Sequence, residues 1–123
     1  MAFLEILLPT LSKSVSIKGL SACVPKNVVD NSAVYEKKWG GYKSFIDSVG
    51  IAKHRNSSAD ICSSDLCVEA AERLITELGW DKQDIDVLVF VSQTPDYHCV
   101  PATSCILQEK MGLSSKCYTL DIS

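Results

Sequence analysis

The stretch Asp86-Val-Leu-Val-Phe-Val-Ser-Gln-Thr-Pro-Asp-Tyr-His-Cys-Val-Pro101 joins the most apolar run of the chain to its densest group of reactive side chains. Five consecutive apolar residues, Val87 to Val91, three of them β-branched, read as a strand buried on both faces, as in a parallel sheet covered by helices. Ser92 to His98 then falls at the carboxyl end of that strand, the edge at which open α/β sheets bind their ligands. A candidate site is expected there.

Working outward, Pro101 suits the first position of a helix running to about Lys110, with Ala102, Cys105, Ile106 and Met111 on its inner side and Gly112 after it. Cys117 to Ile122 reads as a further strand. Upstream, Asp60 or Ser63 opens the longest helix, through Leu78; Leu66, Ala70, Leu74 and Leu78 recur at i, i+4 spacing and form, with Cys62 and Cys67, one apolar stripe ended by Gly79. Asp81 to Asp84 makes a polar turn. Nearer the start, Ser14 to Val24 alternates with period two, the signal of a first strand, and Gly19 marks a bulge or a close approach. Asn31 is placed to cap a helix over 32–38, Gly40-Gly41 breaks it, a short helix follows from Tyr42 to Ser48, and Ile51 to His54 is extended beyond Gly50. Strand, helices, strand, helix, strand argues an α/β fold.

The chain has 123 residues, 46% hydrophobic and 22% charged, the size and make-up of one folded domain. Its net charge of −3 supplies no concentrated basic surface, which excludes nucleic acid as an expected partner. Residues 1–13 are read as a leader segment, interrupted by Glu5 and Pro9, and no run approaches a membrane span. Cys23, Cys62, Cys67, Cys99, Cys105 and Cys117 match no zinc or disulfide spacing, so reduced, mostly buried thiols in a cytoplasmic protein are expected, with no metal. The neighbouring Asp96, His98 and Cys99 invite a Cys–His hydrolase reading. Adjacent residues seldom aim at one another, so a loop ordered by Pro95 and Asp96 turn chemistry is preferred. Lys53, His54 and Arg55 read as a solvated basic rim, and Asp121 as a candidate for a buried polar partner.

Taken together, Ile17-Lys-Gly-Leu-Ser-Ala-Cys-Val-Pro25 with Asn31 after it, Gly50-Ile51 before a basic segment, Val68-Glu-Ala-Ala71, Asp84-Ile-Asp-Val-Leu-Val89, Val100-Pro-Ala-Thr-Ser-Cys-Ile-Leu-Gln108, Met111-Gly112 and the strand-ending Asp121 resemble the amino-terminal part of 3-oxoacyl-[acyl-carrier-protein] synthase III, a condensing enzyme of the thiolase fold. The resemblance runs from Ser14 onward in the family's order. It implies a mixed sheet with covering helices over 14–123, incomplete and stopping before the nucleophile. In that family the nucleophilic cysteine follows the Asp121-like position by five residues, which falls three positions past Ser123, and the assisting His and Asn lie later. No catalytic residue is therefore expected within the chain, which by itself should be inactive.

The implied reaction joins an acyl-CoA or acyl-carrier-protein thioester to malonyl-acyl carrier protein with loss of CO₂, in fatty acid or related acyl-chain biosynthesis, with no metal or redox cofactor and with a homodimeric parent. Where well-studied members carry a tryptophan and an arginine against the coenzyme A adenine, register from Gly50-Ile51 gives Ser44 and Ser48. Where some members place a phenylalanine that closes the acyl pocket across the dimer, Val100 stands. Both departures imply a donor other than acetyl-CoA and a roomier pocket. A non-catalytic shortened homologue acting as an interaction module is the alternative.

Overall fold

The computed structural model describes residues 15–32, 42–98 and 100–123, and for 42–45 the backbone only. The leader at 1–13, the helix expected over 32–38 from Ala33 on, Gly40-Gly41 and Cys99 lie outside the described residues. The elements run β1 (Asn27–Asp30), α1 (Tyr42–Val49), β2 (Lys53–Asn56), α2 (Ser63–Leu78), a 3-10 turn (Lys82–Asp84), β3 (Val87–Val91), α3 (Thr103–Met111) and β4 (Tyr118–Ile122). Among the described residues no helix is long and apolar enough to cross a membrane.

β3 occupies the five residues whose apolar run marked it, and β4 pairs parallel to it, Val87 opposite Tyr118 and Phe90 opposite Asp121. A parallel partner requires a crossover, and α3 supplies it. Alternation along both strands sends Leu88, Phe90, Thr119 and Asp121 towards the helices, and Val87, Val89, Val91, Tyr118, Leu120 and Ile122 away from them. The expectation of burial on both faces is thus corrected: the second face stands between 47% and 78% exposed, because the described residues place no helix over it. The core lies on the covered face, where Ile75 of α2 meets Met111, Leu113 and Cys117, with Val68, Ala71, Ile85 and Leu88 around them.

Two helices stop as their glycines require. Gly79 and Gly112 both have φ +65°, a conformation that side chains with a Cβ rarely adopt, and their N–H groups return to carbonyls of the last turn. Gly19 serves differently: a Cβ there would come within 2.6 Å of Leu74 Cδ1, so the close approach rather than a bulge explains it.

Other expectations are corrected. Residues 15–25 run without a strand ladder, since no partner lies beside them among the described residues; the ladder forms instead between β1 and β2, antiparallel, Val28 opposite Arg55 and Val29 opposite His54. The Asn31 side chain ties two described segments together, while the helix it was expected to cap lies outside the described residues from Ala33 on. Its Nδ2 donates to the Ile51 carbonyl at 2.9 Å and its Oδ1 accepts from His54 Nδ1 at 2.8 Å, while Asp30 Oδ1 accepts from Ser32 N–H. Lys53, His54 and Arg55 are exposed, as expected of a solvated basic rim, and two of them are also tied down: Arg55 donates to the Pro25 and Lys26 carbonyls and His54 bonds the Asn31 side chain. Among the described cysteines, all free, only Cys117 is buried; Cys62 precedes α2 as its N-cap and is exposed, outside the stripe that Cys67 joins.

Candidate functional site

Pro101 does not begin α3. The helix starts at Thr103 because the N–H groups that its first turn leaves unpaired are met there by a residue of β4. Asp121 Oδ2 accepts from Thr103 N–H and Oδ1 from Ser104 N–H, each at 2.8 Å. Burial alone would raise the Asp121 carboxyl; the adjoining Ser104 side chain and the two N–H donors outweigh it and hold the group below its ordinary value. Ser104 Oγ itself is buried without a hydrogen-bond partner of good geometry. The inner side of α3 is Thr103, Ser104, Leu107 and Met111; Cys105, expected among them, is exposed and faces Thr119 Oγ1 at 3.5 Å.

Above these strand ends lies a cavity of about 180 Å³ walled by Phe90, Ser92, the loop residues Pro95, Tyr97 and His98, Asp121 and Ile122 of β4, and Ser123 after it. It occupies the carboxyl edge of the parallel pair, where the sequence placed it. Its chemistry is constrained by what already holds each polar group. Both Asp121 oxygens are committed to α3, so this carboxylate is no free base, and the α3 N-terminus is no open anion site. Asp96 Oδ1 accepts from Ser64 N–H at 3.0 Å, capping α2. Cys99, the nucleophile of the Cys–His hydrolase reading, lies outside the described residues.

Residues 92–98 form a loop, as expected, but what holds Asp96 is a long-range partner rather than local turn chemistry. At the opening turn of α2, Asp65 Oδ2 accepts from Cys62 N–H at 2.9 Å and Oδ1 pairs with Lys110 Nζ at 2.6 Å. The Lys110 hydrogen bond, then the Cys62 N–H, hold the Asp65 carboxyl below its ordinary value, and the same pairing raises Lys110.

The residues chosen from the resemblance are not gathered at this cavity. Val100 adjoins its rim at Pro101 but does not line it, and is 81% exposed. Ser44 and Ser48 lie one turn apart on α1; Ser48 is exposed and does not line the cavity. The sequence passed over Thr103 and Ser104 as a capped helix start; two hydroxyl residues after Pro-Ala were the available signal.

No family model matches the chain. It is 32% identical over 111 residues to the beta-ketoacyl-[acyl-carrier-protein] synthase III of Clostridium perfringens, covering 90% of the chain and 33% of that protein. With the enzyme of the same name from Campylobacter fetus it shares 33% over 101 residues, 82% of the chain and 30% of the relative. The chain thus spans about a third of the length of the curated relatives it matches. Among solved structures, the 3-oxoacyl-(acyl-carrier protein) synthase of Burkholderia xenovorans superposes with a TM-score of 0.74 at 36% identity, over 84% of the chain and 30% of that protein. The cerulenin-bound OleA of Xanthomonas campestris superposes at 0.75 with 24% identity, over 87% and 33%, a likeness of fold. The resemblance stated from the residues and the amino-terminal, thiolase-like α/β fold expected from it are both borne out.

Proposed function

The chain is kin by sequence and by fold to the 3-oxoacyl-[acyl-carrier-protein] synthase III enzymes over about a third of their length, and from that premise we propose that the complete protein is a decarboxylating condensing acyltransferase. A cysteine three residues past Ser123 attacks the carbonyl carbon of an acyl thioester; the carrier thiol leaves, and the acyl group stays on sulfur. Malonyl-acyl carrier protein then loses CO₂, its new carbon nucleophile attacks the acyl carbonyl, and the cysteine thiolate is released as the carbon–carbon bond forms. A His and an Asn from the later part of the protein hydrogen-bond the enolate oxygen. Every electron pair is accounted for by the two thioesters, so neither metal nor redox cofactor is required.

The observation that carries this reading is the placing of Asp121, Ile122 and Ser123 in the cavity wall. Ser123, next after β4, stands in the wall of a pocket bounded also by Phe90, Tyr97 and His98. The open face of β3 and β4 supports it too: Val87, Val89, Val91, Leu120 and Ile122 leave an apolar surface on the side the helices do not reach, β3 is apolar on both sides, the pattern of a strand covered twice, and the remaining two thirds of a family member supply the second cover. Cytoplasmic location and a homodimer belong to the same proposal.

Ser44 and Ser48 offer neither a stacking ring nor a guanidinium, contacts worth about 1 kcal/mol or more each, so the donor is an acyl group on a carrier protein rather than acetyl-CoA. Val100 leaves a roomier acyl pocket than phenylalanine, and Val100→Phe in the complete enzyme shifts preference towards short acyl groups. The test is condensation by the complete protein with acyl-CoA or acyl-carrier protein and malonyl-carrier protein, followed by mass of the 3-oxoacyl product. The 123-residue chain alone gives none. No product from a folded, complete protein with either donor overturns the proposal.

A further inference from the structure

The loop that forms one wall of the cavity is fastened to the two helices behind it. Ser63 Oγ donates to the Thr94 carbonyl at 2.8 Å, Ser64 N–H to Asp96 Oδ1 at 3.0 Å, and Asp96 N–H to Thr103 Oγ1 at 3.2 Å. The anchoring atoms sit on fixed ground: Ser64 is 0% and Thr103 1% exposed. Lys110 of α3 secures the same turn of α2, donating to Ser64 Oγ at 2.8 Å and to Asp65 at 2.6 Å. Pro95, Tyr97 and His98 line the cavity, whereas Asp96, set among them, does not. Its side chain faces the helix and its neighbours face the void.

We infer that Asp96 is a positioning residue for acyl-chain selectivity: by gripping the α2 N-terminus it sets where Tyr97 and His98 stand at the rim, and hence how long a chain the site accepts. The inference rests on the condensing reading above. Asp96 touches no substrate in it. A charge-assisted bond to a helix N–H is stronger than a neutral one and is held in place by the helix dipole, so one side chain is enough to fix the loop.

Asp96→Ala removes the acceptor from Ser64 N–H, while Asp96→Asn keeps an oxygen there. In the complete enzyme, Asp96→Ala shifts the ratio of kcat/KM for an octanoyl over an acetyl donor by about tenfold towards the longer chain, the size of effect that pocket contacts of this kind produce, and does so through KM. Asp96→Asn stays within about twofold of wild type. Amide hydrogen exchange over 92–98 rises in the alanine variant alone, with the middle of α2 unchanged. Ser63→Ala, which frees only Thr94, moves both readouts the same way but less, and serves if Asp96→Ala does not fold. An unchanged donor ratio, or loop exchange equal to wild type, overturns the inference and leaves the proposed function standing. A wild-type protein inactive on every donor overturns both.

Discussion

β1 and β2 pair antiparallel through Asn-Val-Val-Asp and Lys-His-Arg-Asn, and every residue but Val29 is exposed; β3, apolar throughout, pairs parallel with the Tyr-Thr-Leu-Asp-Ile of β4, one face laid against two helices. The first pair is held by its ladder and by polar ties, Asn31 to Ile51 and His54, and Arg55 to Pro25 and Lys26. The Asp30–Lys53 ion pair, 3.9 Å and well exposed, adds little. The second pair is held by burial, with Phe90 of β3 and Leu107 of α3 both buried. An arm built on hydrogen bonds and a core built on apolar area respond to different insults.

The largest expected effect is on the covered face of the core. Leu107, 2% exposed, leaves a void when cut to alanine, and Leu107→Ala lowers unfolding free energy by about 2–5 kcal/mol in urea titration. Leu120→Ala on the open face changes it by no more than about 0.5 kcal/mol in the 123-residue chain. Equal losses at the two positions would mean that something covers the open face in solution, and would break the contrast.

Next in size is the carboxylate at the α3 N-terminus. Asp121→Ala strands two buried N–H groups and costs about 1–3 kcal/mol by the same measurement. Its folded pKa lies below the unfolded value, so the stabilisation is complete above the ordinary carboxylate pKa of about 3.9 and is lost as pH falls through the folded value. Stability therefore declines below about pH 4, and Asp121→Asn flattens that decline; an unaltered slope would refute the assignment.

Smallest is the arm. Asn31→Ala removes both of its side-chain ties and costs about 1 kcal/mol or less, read as faster amide exchange in β2 with β3 unchanged.

The same contrast decides what was legible beforehand. β3, the extent of α2, the glycine stops and the site at the strand end rest on local apolar runs and local backbone needs, which a sequence displays openly. β1 is too short and too polar for a period-two signal, while the segment at 14–24 has the signal but, over its described residues, lacks a neighbour to pair with. The start of α3 was misplaced at Pro101 because its cap comes from Asp121, 17 residues after Ser104. Asp96 was read as a turn residue for the same reason: its partner, Ser64, is 32 residues away. Long-range polar partners leave no periodicity behind them.

Asp121 also selects one alignment of the sheet. Side chains alternate, so sliding β4 by a single position would bring Leu120 or Ile122 beneath Thr103 and Ser104. Neither carries an oxygen to offer, and the face turned to the helices would exchange Thr119 and Asp121 for aliphatic or aromatic side chains. The one acid of β4 thus acts as the notch that makes the sheet close in a single way.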